Sequence, residues 1–385
     1  MKVLQRYFAV SILQAVAFVL VAFLALISFM DLTSELPDVG KDGYEIQHAF
    51  LYVLMLVPGH VYEVMPVAAL IGTIYTMAQF ASSSEFTIMR ASSMSTQMAA
   101  AMLFKIGVVL VLVTFVFGEL ITPRTAPWAE KIRLSAQGAS VSQQFKSGMW
   151  TKDVVRNDGV KGEITGSRFF NVSEFRPDGR LVDVKLYEFD NNFRMRSLIT
   201  AKTGVFEGNN KWRLEDVTET VFANSAAAGA QTQGTFGQET STVTTRKLES
   251  MTLASEITPK ILSVSSADPE RMSANELAVY TRHLAENRQE TDRFKIAFWK
   301  KLIDPFAIFV LMALALPFAY LHTRSGGVSL KIFIGIMIGV SFILINTLFS
   351  HLGLLSTWPA FITAVAPSLL FLLLALGALW WVERH

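Results

Sequence analysis

The chain has 385 residues, of which 51% are hydrophobic and 17% are charged, and its mean hydropathy is +0.39. This composition is too apolar for an ordinary soluble protein of this length and favours a membrane protein. The net charge of +2 does not indicate a nucleic-acid-binding protein. The chain has no cysteine, which excludes disulfides, thiolate metal sites and a cysteine nucleophile.

Six apolar segments are long enough to cross a bilayer, which takes about 20 residues of helix. They lie at residues 8–30, 61–81, 98–122, 303–322, 330–351 and 359–381. The first segment follows Lys2 and Arg6 and ends without a small-residue cleavage site, so we interpret it as a retained span. The run at 48–57, which Pro58 closes, is predicted to lead into the second span or to lie at the interface.

The short loops predict the orientation, because cytoplasmic loops carry an excess of Lys and Arg. A cytoplasmic N-terminus places six basic residues inside, namely Lys2, Arg6, Arg90, Arg324, Lys331 and Arg384. Both termini are therefore predicted to be cytoplasmic, with the long 123–300 segment outside. Five basic residues at the outer membrane edge run against the rule, namely Arg124, Lys131, Arg133, Lys300 and Lys301.

The outer segment has the pattern of β-structure. In the stretch LVDVKLYEF, three apolar residues (Val182, Val184 and Leu186) alternate with charged ones, as in a half-buried strand. Similar short segments, separated by the turn sequences PDGR, FDNNF and EGNNK, predict an antiparallel sandwich, jelly roll or barrel. A Ser- and Ala-rich link at 223–236 is predicted to be a flexible hairpin.

The predicted fold class is a mixed membrane protein, with six transmembrane α-helices in a three-plus-three arrangement around an inserted antiparallel β-jellyroll domain. Residues 1–122 hold the first three helices and a short cytoplasmic helix near 84–92. Residues 123–272 form the β-domain, and residues 273–385 hold a connecting helix and the last three spans.

Motifs for catalysis are missing from the sequence. No GxxxxGK[ST] phosphate loop is present, so the chain cannot hydrolyse nucleotide by the Walker mechanism, and no GxSxG, kinase or zinc signature is found. Four carboxylates lie near the spans, at Asp31, Glu63, Glu119 and Asp304. Each is either a proton-relay residue or an interfacial residue at a span end.

Three further sets of residues each have two interpretations. Gly335 and Gly339 form a GxxxG motif that packs a helix either within this chain or against a partner, and they are candidates for a lateral gate. Arg124, Lys131 and Arg133 either bind lipid phosphates or solvate the neck of the outer domain. The predicted jellyroll interior either fills a core or accommodates acyl chains, and its members are Phe170, Val172, Val182, Val184 and Leu186.

The loop ASSSEFTIMRASSMST at 81–96 is more structured than a simple connector. Ser83 or Ser84 can cap a short helix, and Glu85 in its first turn suits the helix dipole. Phe86 and Met89 are three residues apart and share a face. The loop is predicted to be either an apolar knob that docks into a groove on a soluble partner or a tight interfacial turn.

Several stretches resemble the LptF/LptG permeases of the lipopolysaccharide export system. They are LQRYF at 4–8, the segment VPGHVYEVMPVAALIGTIYTMAQFASSSEFTIMRASSMS, FGELITPRTAPWAEKIR, KSGMWTKD at 146–153 and FWKKLIDPFAIFVLMALALPF at 298–318. The resemblance covers essentially the whole chain. GMWTKD and the segment around Pro66 are more similar to LptG-type members than to LptF-type members.

This resemblance implies a non-enzymatic permease subunit of an ATP-driven transporter in the bacterial inner membrane, with a periplasmic β-domain. The implied partners are a second permease of the LptF type, a dimer of the ATPase LptB, the protein LptC, membrane lipid and lipopolysaccharide. ATP and Mg would be bound by the ATPase, and no cofactor by this chain. Lipopolysaccharide would be extracted from the membrane and passed to a periplasmic bridge toward the outer membrane.

The resemblance also implies roles for particular residues. Glu85, Phe86, Met89 and Arg90 would couple the permease to the ATPase, with Phe86 and Met89 filling its groove. Phosphate contacts are implied for Lys131 and Arg133, with Arg124 in the same neighbourhood. Relatives carry a lysine-rich cluster after the first span, where this chain has Ser28, Ser34 and Glu35, with Lys41 nearby. Phosphate recognition at that entrance would then be either weaker or supplied by Lys300, Lys301 or the partner permease.

Two alternatives from other classes stay open at this point. A proton-driven lipid flippase would need functional carboxylates such as Glu63 and Asp304. A membrane-anchored sensor with an outer β ligand-binding domain would need a cytoplasmic output domain, for which the short inner loops leave no room.

Overall fold

The computed structural model describes residues 2–41, 43–91, 95–136, 148–157, 162–176, 178–222, 243–259, 261–262, 268–287, 289–319, 328–356 and 358–384. The predicted hairpin link at 223–236 lies outside these ranges. The helices are α1 (Lys2–Glu35), α2 (Ile46–Ser82), α3 (Glu85–Ala91), α4 (Thr96–Phe115), α5 (Thr122–Ala136), α6 (Ala274–Glu286), α7 (Asp292–Ile303), α8 (Ala307–Ala315), α9 (Val328–Leu355) and α10 (Ala360–Arg384). The strands are β1 (Met149–Arg156), β2 (Ile164–Phe175), β3 (Leu181–Asp190), β4 (Met195–Gly208), β5 (Lys211–Phe222) and β6 (Val243–Ala254).

The described residues contain six helical stretches that are long and apolar enough to cross a membrane, three before the β-strands and three after them. This confirms the predicted fold class. The run at 48–57 belongs to α2 and leads directly into the second span, so that Pro58 and Pro66 both lie inside one helix. Such prolines are tolerated in membrane helices because neighbouring groups satisfy the freed backbone carbonyls.

The helix that contains the third predicted span extends further than the span itself. The chain remains helical beyond residue 122, through a π-helical segment at Val116–Ile121 and then α5 to Ala136. The predicted boundary at residue 122 therefore lies inside a continuous helix. Pro123 follows the π-helical segment directly, and Pro127 lies inside α5, so neither proline ends the helix.

The two glycines of the GxxxG motif pack within the chain. A Cβ atom added at Gly335 would lie 2.8 Å from Cδ1 of Ile74, and one added at Gly339 would lie 2.7 Å from Cγ1 of Val67. Both neighbours belong to α2. The motif therefore brings α9 close to α2, as small residues do in membrane helix pairs, and a gating role stays a prediction.

The β-domain is one antiparallel sheet in which the strands lie side by side in chain order, from β1 to β6. A row of buried cross-strand neighbours runs through Val172, Val184, Ala201 and Val217 on four successive strands. The predicted turns form the hairpins, and at EGNNK the positive φ angles of Gly208, Asn209 and Asn210 suit these residue types.

Four of the five predicted interior residues are fully buried, namely Phe170, Val172, Val184 and Leu186. Val182 was predicted wrongly, because it is only partly buried while Leu181 is 0% exposed. The backbone at Asp183 has a φ of 49°, and this left-handed residue interrupts the alternation of side chains while β3 stays in register with β2 and β4. Leu181 and Val184, three apart, therefore face the same core.

Candidate functional site

The short helix α3 lies between α2 and α4, as the sequence predicts. Ser84, with a φ of 61°, turns the chain sharply after α2, and its carbonyl accepts a hydrogen bond from the backbone N–H of Ile88 at 3.1 Å. Ser95 caps α4 by accepting from the backbone N–H of Met98 at 3.2 Å. The loop at 81–96 therefore contains a defined helix with a fixed entry and exit.

The apolar face of α3 packs against the helical bundle, whereas one of the two predictions had it project outward to a soluble partner. Phe86 is 2% exposed and Met89 is 6% exposed, and both belong to the core that also contains Phe8 and Phe80. The side chain that projects outward is Ile88, which is 64% exposed. Phe86 and Met89 share a face, but the sharp turn at Ser84 lays that face on the bundle, where burial stabilises it.

Glu85 is held at both carboxylate oxygens. The Tyr7 hydroxyl of α1 donates to Oε2 at 3.0 Å, and the Ser83 hydroxyl donates to Oε1 at 2.9 Å. The side chain of Arg90 lies outside the described part of the chain. Sequence reasoning missed Tyr7, although it stands in the LQRYF stretch that carries the family resemblance.

The predicted basic cluster divides into separate groups at the end of the bundle next to the β-domain. Arg133 and Lys41 meet at Asp38, to which their nitrogens lie 3.5 and 3.3 Å away, and Arg133 also lies 3.5 Å from Glu35. These contacts tie α5 to the end of α1. Arg124 and Lys131 are exposed.

Lys300 and Lys301 meet at Glu270. The Nζ of Lys300 lies 3.9 Å from Oε1 of Glu270, and the Nζ of Lys301 donates to the Glu270 carbonyl at 3.2 Å. Lys301 is only 3% exposed, and its Nζ lies 4.4 Å from the ring centre of Tyr62. The amine of Lys301 is therefore held by this carbonyl and this ring, and a role for Lys301 in phosphate binding stays a prediction.

A cavity of about 510 Å³ opens beside these lysines. Its walls come from α1, α2, α7, α9 and the turn at Pro269–Arg271. The lining combines charged groups such as Glu63, Lys300 and Asp304 with apolar ones such as Ile27 and Phe342. A wall of this mixed kind suits a ligand that has both a charged head and apolar chains.

The model of the family described as "Lipopolysaccharide export system permease LptF/LptG" matches residues 6–383. The chain belongs to the LptF/LptG family. Two curated relatives are described as "Lipopolysaccharide export system permease protein LptG", one from Escherichia coli K12 and one from Haemophilus influenzae. Each is 28% identical to this chain. The alignments cover 98% of this chain in both cases, and 98% and 97% of the two relatives.

In this LptF/LptG family member, the four carboxylates near the spans have different partners. Asp31 lies 2.7 Å from Nε2 of His60, and Glu63 lies 3.6 Å from Nδ1 of the same ring. Glu119, in the π-helical segment, accepts from the backbone N–H of Ala274 at 3.0 Å and so holds the start of α6. Asp304 accepts from Asn346 at 3.5 Å. Glu119 thereby links the third span to the helix that follows the β-domain.

A buried histidine also joins the β-domain of this permease to α6. His283 is 6% exposed, its Nδ1 lies 4.0 Å from Oε2 of Glu256, and its Nε2 has no hydrogen-bond partner among the described residues. Burial lowers the pKa of His283 below its ordinary value of 6.5, although nearby carboxylates oppose the shift. The folded state therefore binds this proton more weakly than the unfolded chain.

The docking of α6 is thus expected to weaken in acid. Its full stability is present above pH 6.5, the ordinary pKa of His283, and decreases below it with a limiting slope of about 1.4 kcal/mol per pH unit. The measurement is the urea midpoint between pH 7.5 and 5.5, followed by tryptophan fluorescence. The His283→Gln variant should remove most of this dependence, and an equal slope in both proteins would contradict the prediction. Asp153, whose pKa burial raises, has the opposite dependence at lower pH and is present in both proteins.

Proposed function

We propose that this chain is the transmembrane subunit of an ATP-driven transporter that extracts lipopolysaccharide from the bacterial inner membrane. The observation that carries the proposal is the family match over almost the whole chain, together with relatives that are lipopolysaccharide export permeases. The mixed lining of the 510 Å³ cavity supports a lipid with an anionic head group. The released lipid would pass to the β-domain and onward to a periplasmic bridge.

The proposed complex contains a second permease of the LptF type, the LptC protein and a dimer of the ATPase LptB, which binds ATP and Mg. The chain has no phosphate loop of its own, so the hydrolysis would take place in that partner. Both termini and α3 would lie in the cytoplasm, and the β-domain in the periplasm. No covalent step is proposed for this chain. Its candidate residues, namely the four carboxylates, Arg124, Lys131, Gly335 and Gly339, would act in transport by binding and packing alone.

The ATPase would dock on the outer surface of α3. Ile88 is the large apolar side chain on that surface, and the partly buried Glu85 and exposed Thr87 lie beside it. A large exposed apolar residue flanked by polar groups is typical of the anchor in a helix-in-groove interface. Ile88 thus replaces Phe86 and Met89 as the proposed anchor.

The Ile88→Arg variant is expected to weaken co-purification of the ATPase by about tenfold or more, since losing an interface anchor typically removes at least ~1.4 kcal/mol. The assay pulls down the tagged chain and quantifies the ATPase and the bound lipopolysaccharide. Val279→Arg is the matched control, because Val279 is 57% exposed on α6 at the other end of the molecule. Equal ATPase yields for the two variants would reject docking on α3, and lipopolysaccharide missing from the unmodified complex would reject the substrate.

A further inference from the structure

The first turns of α1 are fastened to α3. The Tyr7 hydroxyl donates to Glu85 at 3.0 Å, and the second carboxylate oxygen is held by Ser83. Because both oxygens of Glu85 are occupied from inside the chain, its carboxylate has one defined orientation. A displacement of α3 therefore pulls directly on the start of α1.

Aromatic packing strengthens the same connection. The ring of Tyr7 lies 5.7 Å from that of Phe80, and the ring of Phe8 lies 5.8 Å from Phe80 in a stacked arrangement. Phe8 is 0% exposed and belongs to the core that takes up Phe86 and Met89. The inner face of α3 and the start of α1 thus belong to one packed unit.

From this unit, α1 runs as an unbroken rod. Its 34 residues contain neither glycine nor proline, whereas α2 contains Pro58 and Pro66 and the third span contains the π-helical segment. Kinks in helices arise at such residues and segments, so α1 is the stiffer element. It is also the least enclosed of the six long apolar helices in the described part of the chain.

The far part of this rod forms a wall of the cavity. Ile27 lines the cavity and follows Tyr7 by 20 residues, which is about 30 Å of helix at ~1.5 Å per residue. A stiff helix that is held by α3 at one end and lines the cavity near the other end is suited to carry a movement across the membrane. Tyr7 lies at the point where that movement enters the helix.

We propose that Tyr7 is a positioning residue, which passes the displacement of α3 through α1 to the wall of the lipid cavity. This inference rests on the proposed function, because the displacement comes from the ATPase. It assigns the first span, and not only the two spans that flank α3, to the transmission of the ATPase movement. Tyr7 is not among the residues that line the cavity; its hydroxyl acts through Glu85, and its ring packs against Phe80.

The test uses the complete complex in proteoliposomes that contain lipopolysaccharide, with Tyr7→Phe as the variant because it removes only the hydroxyl. We expect unchanged complex yield and unchanged KM for ATP, with lipopolysaccharide released per ATP lower by about three- to tenfold, the range expected for one ordinary hydrogen bond. Tyr75→Phe is the matched control, because Tyr75 is 40% exposed on α2, and it should leave this ratio unchanged. An unchanged ratio in Tyr7→Phe overturns the proposal, and so does a loss of complex yield, which would make Tyr7 an assembly residue.

A distance measurement gives a second readout that a purely structural role would not change. The chain has no cysteine, so spin labels can be placed at Phe29→Cys on α1 and Leu348→Cys on α9, both exposed. The distance should change between the nucleotide-free and ATP-trapped complexes, and Tyr7→Phe should reduce that change. An equal change in both proteins overturns the inference. Absence of ATP-dependent release from the unmodified complex would instead reject the proposed function.

Discussion

The Gly72→Ala variant is expected to destabilise the helical bundle by about 1–3 kcal/mol, the usual range for overpacking a close contact. A Cβ atom at position 72 would lie 2.6 Å from the backbone nitrogen of Val16 and 2.7 Å from its Cα atom. These are backbone atoms of α1, which cannot rotate away as a side-chain tip can. The two helices must therefore separate, although alanine itself favours a helix over glycine by about 1 kcal/mol.

The measurement is the midpoint of thermal unfolding of the purified protein in detergent, which should fall by several degrees in Gly72→Ala. Gly377→Ala is the matched control, because this glycine also lies in a long apolar helix and its added Cβ would meet no atom within 4 Å. The control should be neutral or slightly stabilised. Equal midpoints for the two variants would show that α1 and α2 are not in close contact at Gly72.

The Arg168→Ala variant is expected to destabilise the β-domain by about 3–5 kcal/mol, as removing one partner of a buried ion pair typically does. The guanidinium lies 3.6 Å from the carboxylate of Asp153, whose side chain is 0% exposed, and it donates to Glu188 at 2.7 Å and to the Ala254 carbonyl at 3.0 Å. Ser255 donates to the same carboxylate of Asp153 at 2.6 Å. This network ties β1 to the chain after β6, so its loss loosens both ends of the sheet.

Limited proteolysis of the full chain should show faster cleavage within the β-domain of Arg168→Ala. Burial already raises the pKa of Asp153, and Arg168 opposes that shift, so the variant should be most unstable at neutral pH and recover in acid as Asp153 takes up a proton. Arg180→Ala is the control, since its pair with Asp178 is more than half exposed on both sides and contributes about 0–1 kcal/mol. Equal cleavage of the two variants would contradict the buried network.

The sequence predicted the arrangement of spans and strands because these depend on composition and period. An apolar run of about 20 residues has few alternatives to a membrane helix, and glycine and asparagine in EGNNK have few alternatives to a tight turn. The order of three spans, a β-domain and three spans is present in the structure for this reason. The whole-chain family match rests on the same linear information.

The sequence predicted the site residues less well where a role depends on the orientation of a side chain. Phe86 and Met89 share a face, as their spacing predicts, yet the face is buried, since a single left-handed residue at Ser84 sets the direction of α3. Val182 left the predicted face because the left-handed backbone at Asp183 interrupts the alternation of side chains, although the strand stays in register with its neighbours. Tyr7 was missed because its partner Glu85 is far away along the chain.

The sequence by itself determined that this is a six-span permease of the LptF/LptG family with an inserted antiparallel domain, since hydropathy, turn chemistry and sequence motifs are local properties. Only the tertiary structure decided which cations are available. Arg133 and Lys41 are paired with acidic groups, and Lys301 is enclosed between Glu270 and Tyr62. The physical reason is that a charge near an apolar bundle is stabilised by whichever opposite charge, carbonyl or ring the fold brings to it, and those partners lie on other helices.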